Sequence, residues 1–184
     1  MFWLDMNMNV EIRSMIRALV VLYLGFSVGG CCRGLCKNGY DRAFEYRNGK
    51  VRVYRLVADL QSMAGSGRKE FLRGFEAAYR EAKDTPHGEE YARILKEAAE
   101  SGAYEQSFAQ GQGHVNGQVA DAQVQTMIRK SLGLSRGYAL GWRAGYIEGF
   151  VREMSKKDEL SDEESLYEQA ETMYNALSPI RTSG

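Results

Sequence analysis

Apolar residues in this chain follow two different patterns. Ala18 to Val28 is one continuous run, ALVVLYLGFSV, whereas beyond residue 65 apolar positions recur every three or four residues with polar ones between them. The second pattern predicts helices that each bury one face. Phe71, Phe75 and Tyr79 share a face of a helix over Arg68 to Lys83. Thr85 as cap and Pro86 at the first helical position open the next, whose stripe is Tyr91, Ile94, Leu95 and Ala98. A third segment runs from Ala103 to Leu132 with Tyr104, Phe108, Val115 and Val119 inward and Asn116-Gly117 as a break. A fourth spans about Ser135 to Lys156. Ser161 and Glu164 then form a capping box for a last helix through Leu166, Ala170, Met173 and Leu177, closed by Pro179.

The stretch 31–65 reads differently. Asn48-Gly49 lies between Ala43-Phe44-Glu45-Tyr46 and Val51-Arg52-Val53-Tyr54, which predicts a short β-hairpin with a tight turn. A helix from Val51 to Met63 through Leu56, Val57 and Leu60 competes with it.

Segments opening on Phe71, Tyr104 and Tyr138 align at offsets of 33 and 34 residues, each with small and aromatic residues in the same order. The expected fold is therefore all-α, built of antiparallel helix pairs with a three-fold helical repeat of about 33–34 residues. The period matches tetratricopeptide repeats, but that family's Trp, Leu, Ala and Pro positions are not met. In the last copy Gly137, Gly141, Gly145 and Gly149 recur every four residues beside Trp142 and Tyr146. Glycine inside a helix costs roughly 0.5 to 1 kcal/mol relative to alanine, so a closely packed neighbour must offset the loss. Those six residues are the candidate packing or interface set, within the chain or between copies. A membrane glycine zipper is the sharper alternative, interrupted by Arg143, Glu148 and Arg152.

Composition adds local asymmetry to this picture. Charges balance at 24 basic and 24 acidic, so nucleic acid is not an expected partner. From Arg33 to Arg55, seven basic residues stand against Asp41 and Glu45; from Glu153 to Glu171, eight acidic residues stand against Lys156 and Lys157. The basic stretch suits either anionic headgroups or a solvated linker.

Arg13 and Arg17, the apolar run and the small residues after it have the order of a secretory signal. Val28-Gly29-Gly30-Cys31 resembles the bacterial lipobox. The resemblance implies cleavage before Cys31, acylation of that cysteine with fatty acids such as palmitate, and a lipoprotein of the cell envelope. With Cys32 and not aspartate next, it implies the outer membrane facing the periplasm in a Gram-negative host. The domains would be a signal peptide over 1–30, its true start at Met15 giving a neater signal, a lipidated basic tether over 31–65 and a helical domain over 66–184. An uncleaved amino-terminal anchor and a buried helix are the competing readings of the apolar run. Cys32 and Cys36 form an even pair that can close a disulfide loop, with free or acylated thiols as the alternative.

Chemistry is sparse in the sequence. No nucleophile elbow, His-Glu-x-x-His pair or metal-ligand cluster is written in it, so no catalytic residue, metal or cofactor is expected. His87 lies at a helix start and His114 between glycines, and the adjacent glutamates read as solvated faces. The expected function is a lipid-anchored, non-enzymatic interaction protein of assembly, exclusion or immunity type, with a protein partner or self-association. A ligand-binding or enzymatic domain with Trp142, Tyr146 and His114 lining a pocket between helix pairs is the alternative.

Overall fold

A computed structural model describes residues 34–158 and 161–178. They form eight helices and no strand: α1 (Leu35–Arg47), α2 (Val53–Gln61), α3 (Gly65–Glu81), α4 (Thr85–Glu100), α5 (Ala103–Val115), α6 (Asp121–Leu132), α7 (Arg136–Lys157) and α8 (Glu163–Leu177). The fold is all-α. The expected hairpin is absent: its first arm is the end of α1, and its second runs from the turn into α2. Asn48-Gly49 does make a turn, with Gly49 at φ +69°, but it ends a helix. An Asn-Gly step supplies left-handed backbone equally well to a helix C-terminus. Residues 35–61 are therefore core elements, α2 alone contributing Tyr54, Leu56, Val57 and Leu60, each 1% exposed or less.

Side-chain caps open the last two helices. Ser135 caps α7 by accepting from the Tyr138 N–H at 3.1 Å. For α8 the cap is Asp162, accepting from the Ser165 N–H at 2.9 Å, and not Ser161 as the sequence suggested. Ser161 turns back instead and donates to Asp158. A carboxylate at the cap accepts more strongly than a hydroxyl and also suits the positive end of the helix dipole.

Consecutive helices are not the closest neighbours. The tightest contacts join α1 to α3 and α5 to α7. Within each pair the helices run parallel. Leu35 abuts Gly67, Gly39 abuts Phe71 and Arg47 lies over Tyr79, a constant offset of 32. In the second pair Tyr104 abuts Gly145, Phe108 abuts Gly149 and Gln112 bonds Glu153, a constant offset of 41. The intervening helix makes the return. α8 packs antiparallel on α7 through Glu148 with Tyr167, Arg143 with Glu171 and Trp142 with Tyr174.

The repeated spelling explains this arrangement. Small residues of the three aligned segments all lie in helix contacts: Gly74 on the Cys36 carbonyl, Ser107 against Gly145, Gly111 on the Tyr146 carbonyl and Gly141 on the Ala98 carbonyl. A fourth copy, Gly39-Tyr40 with Ala43-Phe44, lies in α1. α1 to α4 and α5 to α8 also share a contact scheme, with first on third, third on fourth and second on fourth. The 33–34 residue spacing thus marks the odd helices of a four-helix unit used twice.

Candidate functional site

α7 is the hub of the molecule, touching α2, α4, α5, α6 and α8. Its four spaced glycines are buried, and each already has an occupant. A Cβ on Gly137 would meet the Glu97 side chain, on Gly141 the Ala98 carbonyl at 2.5 Å, on Gly145 the Tyr104 carbonyl, and on Gly149 the Phe108 carbonyl. Trp142 and Tyr146 are 2% and 0% exposed and stack at 5.8 Å between centroids. The glycine face is thus filled by α4 and α5 of the same chain. No helix among the described residues is long and apolar enough to cross a membrane.

Cys31 and Cys32 lie outside the described residues. Cys36 is disulfide-bonded and 1% exposed, and its carbonyl faces Gly74.

His114, in the last turn of α5, has a partner on each ring nitrogen. Its Nδ1 lies 2.5 Å from the Tyr146 hydroxyl and its Nε2 2.8 Å from Asp121 Oδ1. With the carboxylate accepting from Nε2–H, Nδ1 is left to accept from the phenol. An acid, an imidazole and a hydroxyl in line are the parts of a general-base relay. Here the hydroxyl end is the buried one: Tyr146 is 0% exposed, while the Asp121 side chain is 71% exposed. Burial, followed by the nearby Asp121 charge, pushes the Tyr146 hydroxyl well above the usual phenol range. No substrate reaches that oxygen without opening the core, so the chain of contacts is a strut tying α5, α6 and α7. His87 sits at the start of α4 with Nδ1 2.6 Å from Asp84.

A third cluster was not anticipated. Between the α1–α2 turn, α2, α7 and α8 lies a cleft of about 410 Å³ lined by Lys50, Arg52, Tyr54, Arg55, Arg143, Glu164 and Glu171 among others. Here the two charged stretches of the sequence meet. Arg52 pairs with Glu164 at 2.7 Å and with Glu171, and Glu171 also takes Arg143 at 3.2 Å. Arg55 lies 3.5 Å from both Glu163 and Glu164, and its guanidinium rests 4.2 Å over the Tyr167 ring. Tyr167 in turn stacks on Tyr54 at 5.4 Å and donates to Glu148 at 2.7 Å. Of the basic residues once free to be read as headgroup ligands, Arg42, Arg52 and Arg55 are thus paired within the fold. The sequence signal was present as two opposite charge excesses more than a hundred residues apart. What it lacked was any indication that they face each other.

Among the described residues no group of three or more His, Cys, Asp or Glu side chains is placed to hold a metal ion. Comparison with family models, with curated proteins and with solved structures finds no match for this chain.

Proposed function

We propose that this is a lipid-anchored cell-envelope protein whose helical domain binds a protein partner at the membrane surface, without chemistry of its own. The observation that carries the reading is how little chain separates the lipobox-like cysteine from the domain. Only Cys32, Arg33 and Gly34 stand between Cys31 and Leu35, the first residue of α1. Three residues span at most about 10 Å. Within α1, Cys36, Gly39 and Ala43 are already core residues. A lipid on Cys31 would therefore hold the domain against the bilayer with almost no reach, which suits a partner presented at that surface. Phe44 of α1, 58% exposed, is the large apolar side chain nearest the anchor in sequence that remains outside the core to that extent. Assembly, exclusion and immunity are the roles this reading proposes for the domain. In a Gram-negative host the location would be the outer membrane facing the periplasm.

The anchor is tested by labelling cells with radioactive palmitate and sequencing the mature amino terminus. Label in the wild type, none in Cys31→Ala, and a terminus at residue 31 are expected. Equal label in the variant, or a terminus elsewhere, overturns the assignment. A photoreactive residue at position 44 tests the interaction: one discrete cross-linked envelope protein is expected, and a smear or nothing refutes that surface.

A second reading, a domain that binds a small ligand, is favoured by one specific observation, the charged cleft between α2, α7 and α8. Trp142 and Tyr146, which the sequence offered as pocket walls, are instead core residues.

A further inference from the structure

We propose that the cleft between α2, α7 and α8 is a binding site for a small oxyanion, a carboxylate or phosphate group carried by a small molecule. The inference stands independently of lipidation and of the protein partner. It rests on a mismatch between donors and acceptors.

The glutamates of α8 occupy terminal nitrogens of the three arginines. Arg52 uses Nη1 and Nη2 on Glu171 and Glu164, Arg55 uses Nη2 on Glu163 and Glu164, and Arg143 uses Nη2 on Glu171. These contacts hold the guanidinium groups in position. They leave the Tyr54 hydroxyl, Arg55 Nε and Arg143 Nε buried from solvent with no hydrogen-bond partner. Tyr54 is 1% exposed, and all three residues line the same cleft. Burial, then the Glu171 charge, pushes the Tyr54 hydroxyl up to about 12, so it keeps its proton at neutral pH.

Buried polar groups are ordinarily paired, and a donor left without an acceptor costs free energy. An ion-pair network that merely closes α2 onto α7 and α8 accounts for the arginines, but not for three unpaired donors on residues that line one cleft. Each of the three supplies a hydrogen. The missing group is therefore an acceptor. Lys50, Arg52, Arg55 and Arg143 are balanced by Glu163, Glu164, Glu168 and Glu171, and those carboxylates are already engaged with the arginines. The preference for an oxyanion therefore rests on the unpaired donors and not on net charge. Guanidinium N–H groups match carboxylate and phosphate oxygens in geometry. At about 410 Å³ the cleft falls within the size range of small-molecule sites, and Val53 and Tyr54 are among its lining residues.

The test uses the purified full chain in detergent, with sodium phosphate and sodium acetate as probes against sodium chloride at matched ionic strength. Thermal unfolding and titration calorimetry are read for the wild type and for Tyr54→Phe. At ten times its dissociation constant a bound probe should raise the melting temperature by about 3 to 5 °C. The larger response of phosphate or acetate tells which oxyanion the site takes. Tyr54→Phe removes an unpaired hydroxyl, so without probe it should melt no lower than the wild type, while its affinity for the effective probe should fall at least about tenfold. Arg143→Lys keeps a charge for Glu171 but lacks Nε, and should weaken binding in the same way; it serves if Tyr54→Phe does not fold. No response of the wild type to either probe overturns the proposal. Equal responses of the wild type and the variants overturn it as well.

Discussion

Replacing Gly145 with alanine sets two known effects against each other, and their sum has a definite sign. On an open helix face the change would stabilise by about 1 kcal/mol through helix propensity. In α7 the new Cβ would meet the carbonyl oxygen and carbon of Tyr104 and the Ser107 hydroxyl, all closer than 3.0 Å. Two of those atoms are backbone, so no side chain can swing aside, and α5 must retreat from α7 by on the order of 1 Å. Such a gap forfeits roughly a quarter to a half of each contact across the seam, at about 0.1 to 0.2 kcal/mol per atom pair. The seam also holds Gly111 on the Tyr146 carbonyl and Gly149 on the Phe108 carbonyl, which would loosen together. With about 50 atom pairs, as many as one buried leucine makes, the loss is about 3 kcal/mol. The net expectation is about 2 kcal/mol of destabilisation, a fall of roughly 4 to 8 °C in melting temperature for a chain of this size. The assay is thermal unfolding of the unacylated mature chain, followed by far-ultraviolet circular dichroism. Gly65→Ala is the control, because Gly65 is helical with nothing within 4 Å of its missing Cβ. If Gly145→Ala melts at or above the wild type, the close-packing account of α5 and α7 is wrong.

Two further predictions concern α8 and its neighbours. Burial raises the Glu148 carboxyl above its ordinary 4.5, against the opposing pull of the Tyr167 hydroxyl. A carboxyl raised on folding binds its proton more tightly in the native state, so its contribution is most favourable at low pH and is lost as pH rises from 4.5 through the raised value. Glu148→Gln should accordingly be more stable than the wild type at neutral pH and indistinguishable from it below 4.5, as compared by urea midpoints. Asp162→Ala should cost about 1 kcal/mol in the same assay, whereas Ser161→Ala should cost much less, because Asp162 is the cap. The reverse order would restore the capping box suggested by the sequence.

Helices α3 to α8 were legible because each carries enough turns for a three-and-four period to show, with Pro86 and Ser135 at their starts. α1 was not, and α2 was legible only as the helix from Val51 to Met63 that competed with the hairpin, for a local reason. Around Asn48-Gly49 the apolar stretches are four residues long, too short to distinguish a period of two from one of 3.6, and the turn residues fit either outcome. Mistaking that turn also hid the fourth small-aromatic copy, Gly39-Tyr40 with Ala43-Phe44, since a strand gives such spacing no meaning. The close contacts of the α7 glycines could be argued from their cost alone. Which helices filled them could not, because Ala98, Tyr104 and Phe108 contribute carbonyl groups, and every residue has one. The charged cleft was the least legible feature, since pairing Arg52 with Glu171 is a property of tertiary placement across 119 residues.

The placement of the small residues bears on where a partner can act. A glycine stripe on a solitary helix offers itself to another helix, and in a lipid-anchored protein that would point to self-association in or on the membrane. In this chain the stripe on α7 is occupied by α4 and α5, and in the α1–α3 pair Gly39 is filled by the Phe71 backbone and Gly74 by the Cys36 carbonyl. A partner helix could use them only by displacing one of the chain's own, at the expense of the core around Trp142 and Tyr146. On the proposed partner-binding role, recognition would fall on what the packing leaves outside. Among the described residues that includes Leu35 and Phe44 on α1, Leu132 and Leu134 at the α6–α7 turn, Met173 on α8, and the arginine-lined cleft whose donors lack acceptors. Phe44 lies thirteen residues from the proposed anchor, on a helix rooted in the core, so its height above a bilayer would be set by the fold and not by a tether. On that reading the glycines would act on function indirectly, through the close helix contacts that place α1 and α7 in the core.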